Sequence, residues 1–252
     1  MALPLQTIID APIIELDTID STNNYAMQLI DADTAQPGMT ILAQLQTAGK
    51  GQRGRTWMDS PGQSLLMSII TLPLYGMDEQ FLFNASVITG IADVLQAWNE
   101  NCDVRIKWPN DIMVNDKKAG GVLIENVLRG NTWAYSVIGI GINVLQSRLD
   151  ESLPYATSLK IASGEEHNLR GLAQALRAGI LKNLYQKIPA ADIMKRYNSH
   201  LYRKGMEQRF FDDRGEWAAI IVDAAPNGQL MVQTADGNIT AYTHGVVNWK
   251  WE

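Results

Sequence analysis

The sequence predicts an α/β fold, with a mixed sheet flanked by helices and followed by a small β domain. Strand-like and helix-like segments alternate along the first half of the chain, a pattern typical of layered α/β proteins. After about residue 203 the pattern changes to short apolar pieces separated by the turn sequences DDRG, PNG and ADG. We therefore expect one large domain over residues 1–203 and a small β-barrel or sheet domain over residues 204–252.

The individual segments support this division. Strand-like sequences at 12–16 and 40–45 enclose a helical stretch at 21–33, and apolar residues between Asp78 and Asn99 follow the spacing of one helix face. Further along, the runs VRIKW, AGGVLIENVL and WAYSVIGIGINVL are rich in β-branched and aromatic residues and predict adjacent strands. A leucine-rich pattern from about Asn168 to His200 is helical again.

Composition excludes several classes of protein. Of 252 residues, 46% are hydrophobic and 19% are charged, which suits a packed core and argues against disorder. The net charge of -6 does not favour nucleic acid as a partner. A single cysteine, Cys102, rules out an intrachain disulfide and fits a reducing compartment. The start of the chain has no basic segment before an apolar run, and we expect a soluble, cytoplasmic protein with no membrane partner.

The segment QTAGKGQRGRTW at 46–57 interleaves glycines with cations. Its glycines are Gly49, Gly51 and Gly54, and its cations are Lys50, Arg53 and Arg55. Glycine lets backbone N–H groups approach an anion closely, and neighbouring cations neutralise phosphate or carboxylate charge. The segment predicts an anion-binding loop, although a solvated surface turn has the same composition.

Familiar nucleotide-binding motifs do not account for this loop. The glycines formally match G-x-G-x-x-G, but a Ser60-Pro61-Gly62 break and the strand-like sequence SLLMSIITL follow where a dinucleotide fold needs a helix. The lysine lacks the spacing of a Walker A motif, and the kinase signatures HRD and DFG do not follow. The loop therefore indicates an anion without specifying a known nucleotide fold.

A second segment, IKWPNDIMVNDKKAGGVLIE at 106–125, is more specific. Pro109 biases its predecessor towards an extended conformation, so Asn110 and Asp111 are expected at a strand end. An amide beside a carboxylate suits Mg²⁺ that is bound largely through substrate phosphates. Lys118 precedes the pair Gly120-Gly121, where backbone can approach a ligand. The alternative is that NDKK is only a hairpin turn with surface lysines.

A third element, GIGINV at 139–144, places Gly139 and Gly141 inside an apolar strand and presents Asn143. Such glycines mark a bulge or a close approach to the backbone, and from these residues alone the element is as consistent with a structural as with a functional role. The three histidines are scattered without metal-ligand spacing, which does not favour a protein-bound transition metal.

Taken together, these motifs resemble those of the biotin protein ligases. The glycine and arginine loop ending at Trp57, the K-W-P-N-D…K…G segment from Lys107 to Gly121, the Asp20-Ser21-Thr22-Asn23 start and the strand at 139–143 occur in the family's order. The resemblance covers nearly the whole chain. It implies a catalytic fold similar to class II aminoacyl-tRNA synthetases, with an SH3-like β-barrel at the C-terminus.

The resemblance also implies a reaction and a set of residues. Biotin would attack MgATP to form biotinyl-5'-AMP, and a lysine of a biotin carboxyl carrier protein would then displace AMP. The implied catalytic residues are Lys118, Arg55 and Asp111. The implied biotin-binding residues are Ser21, Thr22, Asn23, Gln46, Gly49, Lys50, Gly51, Gln52, Lys118 and Gly121. The implied ATP-binding residues are Arg53, Arg55, Trp57, Asn110, Lys118, Asn143 and Lys250, with Asp111 and Asn143 holding Mg²⁺ together with the phosphates.

Some features depart from the family pattern. Where the best-known members have GRGRRGR, this chain has GKGQRGR, so Lys50 and Gln52 replace arginines and the loop loses bidentate donors. Members that repress transcription carry an N-terminal helix-turn-helix domain, whereas here the family pattern begins near residue 20, so no DNA binding is expected. A homodimer is possible. The alternatives are a lipoate or octanoate ligase or transferase of the same superfamily and a non-catalytic ligand-binding protein.

Overall fold

The structure is a computed structural model that describes residues 4–186, 188–213 and 215–249. The helices are α1 (Leu5–Ile9), α2 (Thr22–Asp31), α3 (Gln80–Trp98), α4 (Leu159–Ser163), α5 (Leu169–Tyr185) and α6 (Ala190–His200). The strands are β1 (Ile13–Ile19), β2 (Thr40–Gln46), β3 (Ser64–Thr71), β4 (Val104–Lys107), β5 (Asp111–Val114), β6 (Lys117–Arg129), β7 (Thr132–Asn143), β8 (Glu207–Asp212), β9 (Gly215–Ala224), β10 (Leu230–Gln233), β11 (Ile239–Tyr242) and β12 (Asn248–Trp249).

The first seven strands form one mixed sheet, in the order β1-β2-β3-β7-β6-β5-β4. Strands β1 and β2 are parallel, and the other neighbouring pairs are antiparallel. Every residue of β3 is buried, because this strand lies near the middle of the sheet and is covered on both faces. The mixed sheet with flanking helices that the sequence predicts is confirmed.

Helix α3 is the central helix of the core and packs against α5, α6 and the sheet. Among the described residues, the helical stretch Met77–Trp98 is long and apolar enough to cross a bilayer. Most of it, however, is buried inside the protein. That burial is typical of a core helix. The helical region predicted at 168–200 consists of α5 and α6, with Pro189 at the N-cap of the second helix, a position that tolerates the missing N–H of proline.

The tail forms a second, antiparallel sheet in the order β11-β10-β9-β8-β12. Its described strands make a five-stranded sheet with β11 and β12 at the edges. No pairing between these two edge strands, which would close the predicted barrel, is seen among the described residues. Phe210, Ile221 and Leu230 of the tail belong to the same apolar cluster as the core of the large sheet. The tail therefore packs directly on the first unit, while the boundary at residues 203 and 204 stays a prediction.

A tight hairpin joins β5 to β6 and sets up the candidate site. Its turn residues Asn115 and Asp116 have φ values of 48° and 64°, as a type I′ turn requires. Strand β5 was not predicted from the sequence, because its four residues, Asp111–Val114, are too few to establish a periodicity. The NDKK segment is thus a hairpin turn, and the same hairpin also carries Lys118 back towards Asp111.

Candidate active site

A cavity of about 310 Å³ lies where the carboxyl-terminal sheet meets the large sheet. Segments from both units line it: residues 21–23, 46, 50–53, 55–57, 107–111, 118, 121–123, 139–141, 244–245 and 247–249. The cavity therefore joins the basic loop, the K-W-P-N-D segment and the β7 glycines at one place. Arg55 and Lys118, far apart in sequence, lie on the wall of the same cleft.

One end of the cavity is polar but uncharged. Ser21 is at the N-cap of α2 without making a capping hydrogen bond, and Thr22 donates its N–H to Oε1 of Gln46 at 2.8 Å. The hydroxyl of Ser68 lies 2.7 Å from Oγ1 of Thr22 and 2.6 Å from Oδ1 of Asn23. Because these buried groups are fixed by one another, they form a preorganised set of donors and acceptors for a polar ligand.

Asn23 connects this polar end to the basic loop. Its Nδ2 donates to Oε2 of Glu125 at 2.7 Å, and the other carboxylate oxygen of Glu125 lies 3.7 Å from Nζ of Lys50. A Cβ at Gly139 would lie 2.4 Å from Oδ1 of Asn23. Gly139 therefore leaves space for the Asn23 side chain. The sequence allowed either a bulge or a close approach at this glycine, and the structure shows a close approach.

The basic loop at 46–57 has a defined backbone. The N–H of Gly51 donates to the carbonyl of Arg55 at 2.7 Å, and the N–H of Trp57 donates to the carbonyl of Gly49 at 2.9 Å. At the tip, Arg53 adopts a left-handed φ of 57° beside Gly54 at 75°. Gln52, Arg53 and Arg55 all reach the cavity, so the loop forms a cationic cover over one side of it.

Trp57 lies flat against the β7 backbone. A Cβ at Gly141 would approach Cε2 of Trp57 to 2.8 Å, so only glycine allows the indole ring to occupy this place. The indole Nε1 is buried and has no hydrogen-bond partner in the structure. An unmatched buried donor on a cavity wall is the kind of group that a ligand acceptor satisfies.

Lys118 and Asp111 form an ion pair on the wall of the cavity, with Nζ 2.6 Å from Oδ1. The backbone of Lys118 is fixed independently, because its N–H donates to the carbonyl of Tyr155 and its carbonyl accepts from Thr157. Asn110 anchors the preceding turn through its Nδ2, which donates to the carbonyl of Val122. Lys118 is thus fixed by hydrogen bonds of its main chain, and its side chain is paired with Asp111.

Lys107 is a further cation of the cavity that the predicted set did not include. It is only 7% exposed, and its Nζ lies 4.7 Å from the ring centroid of Trp249 in the tail. Burial, together with the neighbouring Lys118 and Arg55, lowers the pKa of this lysine to about 8, and Asp111 opposes the shift. No local sequence signal marks it, because its burial depends on Trp249 of the tail.

The structure brings together most of the residues implied by the sequence. Those that line the cavity are Ser21, Thr22, Asn23, Gln46, Lys50, Gly51, Gln52, Arg53, Arg55, Trp57, Asn110, Asp111, Lys118 and Gly121. Gly49 is not among the lining residues; a Cβ there would lie 2.8 Å from the Trp57 carbonyl, so its place is structural. Lys250 lies outside the described residues.

Asn143 is also not among the lining residues. It is 9% exposed, and its Nδ2 donates to the carbonyl of Thr157 at 3.1 Å. Of the pair expected to hold Mg²⁺, the structure therefore brings only Asp111 to the cavity. One carboxylate beside the oxygen of Asn110 fits a Mg²⁺ that is bound mainly through phosphates, and the described residues contain no cluster of three or more His, Cys, Asp or Glu side chains.

Comparison with known sequences places the chain. The sequence model of the Biotin/lipoate A/B protein ligase family matches residues 15–143. The chain belongs to this family. The resemblance drawn from the loop, the K-W-P-N-D segment and the β7 glycines is confirmed, and the matched region contains most of the residues that line the cavity.

Individual members of the Biotin/lipoate A/B protein ligase family agree with this placement. The bifunctional ligase/repressor BirA of Bacillus spizizenii is 31% identical over 234 residues, which cover 89% of this chain and 70% of BirA. BirA of Bacillus subtilis is 35% identical over 165 residues, covering 63% of this chain and 49% of that protein. The biotin--[acetyl-CoA-carboxylase] ligase of Paracoccus denitrificans is 31% identical over 130 residues, which span about half of each chain (50% and 51%).

Solved structures of this family share the fold. The biotin protein ligase of Aquifex aeolicus in complex with biotin and ATP superposes with a TM-score of 0.78 at 23% identity, covering 95% of this chain and 99% of that one. The ligase of Leishmania major in complex with biotinyl-5-AMP gives a TM-score of 0.60 at 23% identity, covering 92% and 98%. The whole architecture, including the carboxyl-terminal sheet, is therefore that of a biotin protein ligase.

Proposed function

We propose that this protein is an ATP-dependent biotin protein ligase. In the first step, a carboxylate oxygen of biotin attacks the α-phosphorus of ATP, forming an acyl-phosphate bond while pyrophosphate leaves. In the second step, the neutral amine of an acceptor lysine attacks the acyl carbon, AMP leaves and the amine nitrogen loses a proton. The observation that carries the proposal is that one cavity holds the Lys118 and Asp111 pair, the cationic loop and the uncharged polar end.

The cations answer the main electrostatic difficulty of the first step. The carboxylate and the α-phosphate are both anionic, so they approach only if fixed positive charges lie on either side of them. Lys118 on β6 and Arg55 on the loop supply charge from opposite parts of the chain to the same cavity. The fold itself brings both side chains to the cavity, which reduces the reorganisation needed during the reaction.

Asp111 acts as a temporary partner for Lys118. In the open pocket it keeps the ammonium at 2.6 Å, and the anionic reactants then compete for that ammonium when they bind. A Mg²⁺ bound through the phosphates would be held by Asp111 and Asn110 and would supply further charge neutralisation. The exchange moves Lys118 from a carboxylate of the protein to the oxygens that gain charge in the transition state.

The uncharged end favours biotin over lipoate. The ureido ring of biotin presents N–H donors and a carbonyl acceptor, whereas the dithiolane ring of lipoate has neither. An apolar head group would leave the buried hydrogen-bonding groups of Ser21 and Thr22 and the half-buried amide of Gln46 without a ligand partner, and such a mismatch is strongly selected against. We therefore assign the head group of the acid to this end and its carboxylate to Lys118.

Adenylation is tested by exchange of labelled pyrophosphate into ATP by the purified protein. We expect exchange that depends on biotin and is not supported by lipoate or octanoate. Exchange with lipoate alone would assign the protein to the other branch of the family. Binding of biotin and ATP without exchange would identify a ligand-binding protein that does not catalyse the reaction.

Transfer is tested by incorporation of labelled biotin into a biotin carboxyl carrier domain. We expect label on the carrier and none on a carrier whose acceptor lysine is replaced by arginine. Exchange without incorporation would retain the adenylation step and remove this acceptor class. Homodimerisation, a cytoplasmic location and the lack of DNA binding stay predictions from the sequence.

A further inference from the structure

His244 lies in a turn of the carboxyl-terminal sheet and lines the cavity from the side opposite the large sheet. Its ring packs edge to face on Trp108, with centroids 5.3 Å apart and an interplanar angle of 85°. The next residue, Gly245, accepts a hydrogen bond from Nη1 of Arg53 at 3.4 Å. A Cβ at Gly245 would overlap the Arg53 guanidinium at 1.4 Å, so the turn and the basic loop fit closely together.

The charged groups that act on His244 come from the loop and from the K-W-P-N-D segment. Among the described residues, they are the cations Arg53, Arg55 and Lys107 and the acid Asp111. His244 keeps an exposed face, but partial desolvation at the cavity wall and these cations lower its pKa below the ordinary value, and Asp111 opposes the shift. The imidazole is consequently mostly neutral at neutral pH.

A bound polyphosphate reverses this balance. Its charges neutralise Arg53, Arg55 and Lys107, which are the groups that disfavour the imidazolium, and add negative charge beside the ring. Histidine is the side chain whose ordinary titration range allows such a change to alter its protonation near pH 7. The protonated ring is also a stronger donor to a phosphate oxygen than the neutral ring.

We propose that His244 contacts the triphosphate of ATP and takes up one proton from solvent when the triphosphate binds. The proposal rests on the proposed function for the identity of the polyphosphate, but its chemistry needs only a polyphosphate in this cleft. His244 then becomes an additional cation beside the pyrophosphate leaving group. The positive charge on His244 therefore depends on the bound polyphosphate.

The direct test is NMR of the imidazole C–H resonances in the full-length protein. The chain has only three histidines, and His244→Gln assigns the relevant signal. The pH titration is carried out with and without saturating inorganic tripolyphosphate. We expect the pKa of His244 to rise by about one unit or more when tripolyphosphate binds. The signals of His167 and His200, which do not line the cavity, serve as internal references and should not respond to tripolyphosphate at a given pH.

A second measurement separates this role from simple packing against Trp108. We compare tripolyphosphate affinity of the wild type, His244→Gln and the control His167→Gln, whose ring instead contacts Ser163 in the α4 region. We expect His244→Gln to weaken binding about threefold near pH 6.5 and hardly at all near pH 8.5, since only the protonated ring adds affinity. A packing role would give the same loss at both pH values.

The outcomes are distinct from those of the proposed function. A His244 signal that titrates identically with and without bound tripolyphosphate overturns the inference, and so does a protein that adenylates biotin but fails to bind tripolyphosphate. A pKa increase in a protein without biotin-dependent exchange would sustain the polyphosphate contact while removing the ligase assignment. Correct folding of His244→Gln is checked by its amide spectrum.

Discussion

Asp111 and Lys118 meet at 2.6 Å across the β5–β6 hairpin, although Asp111 pairs in register with Gly121 and not with Lys118. A register shift between Ile112 and Met113 lies between the two residues along the hairpin, and a Cβ at Gly121 would be only in ordinary contact with the pair, 3.5 Å from Oδ1 of Asp111. The carboxylate thereby compensates the charge of the lysine on the cavity wall.

Replacing Lys118 with alanine should lower the rate of biotin-dependent pyrophosphate exchange by on the order of 10²-fold or more, the usual loss when one key electrostatic stabiliser is removed. Lys117→Ala is the matched control, because this neighbouring lysine is exposed and should leave exchange unchanged. Steady-state exchange kinetics on both variants make the comparison. Equal rates for the two variants would remove Lys118 from the mechanism.

Gly141→Ala should destabilise the protein, because the added Cβ would lie 2.8 Å from the Trp57 ring and force it out of place. We expect a loss of about 1–3 kcal/mol, typical of overpacking, measured by urea unfolding. In a Trp57→Ala background the ring is gone, so the same glycine substitution should cost much less. A penalty that is equal in both backgrounds would show that the contact with Trp57 is not its cause.

Gln52→Arg should slow the escape of the adenylate from the cavity. Gln52 lines the cavity with a neutral amide, whereas a guanidinium could donate two charge-assisted hydrogen bonds to a phosphate. We expect release of labelled biotinyl-5'-AMP, formed with pyrophosphatase present, to be about tenfold slower. Gln52→Glu should accelerate release, because its carboxylate repels the phosphate. Equal release rates for the two variants would contradict the role of charge at this position.

The parts of the site that could be predicted from sequence are those whose geometry is local. The loop at 46–57 and the hairpin that brings Lys118 back to Asp111 each depend on turn chemistry within a few residues. By contrast, Lys107 is identified only once Trp249 covers it, and His244 only once the tail sheet is packed on the large one. Such contacts depend on tertiary packing, for which no local pattern exists.

Asn143 illustrates the converse limit. Its position after the β7 glycines suggested a ligand-facing amide, and the strand does carry Gly139 and Gly141 to the cavity. The amide itself is engaged by the carbonyl of Thr157, which belongs to the segment that returns past Lys118. The period of a strand predicts which face a residue lies on, but the competing partner comes from a loop that the pattern does not place.

Lys107→Met should stabilise the protein at neutral pH by an amount that shrinks as the pH rises. The folded-state pKa of about 8 lies below the ordinary value of 10.5, so below pH 8 the lysine is charged in both states and the fold bears the cost of burying that charge. Between these two values the unfolded chain holds a proton that the folded protein has released, and wild-type stability therefore increases with pH.

The measurement is urea unfolding of wild type and Lys107→Met near pH 7 and near pH 9.5. The advantage of the variant over wild type should fall by about 2 kcal/mol across this interval. Lys117→Met is the control, because an exposed lysine should give a difference from wild type that does not change with pH. A Lys107→Met difference that is equally constant would mean that Lys107 keeps an ordinary pKa, and its burial beneath Trp249 would then not perturb its charge.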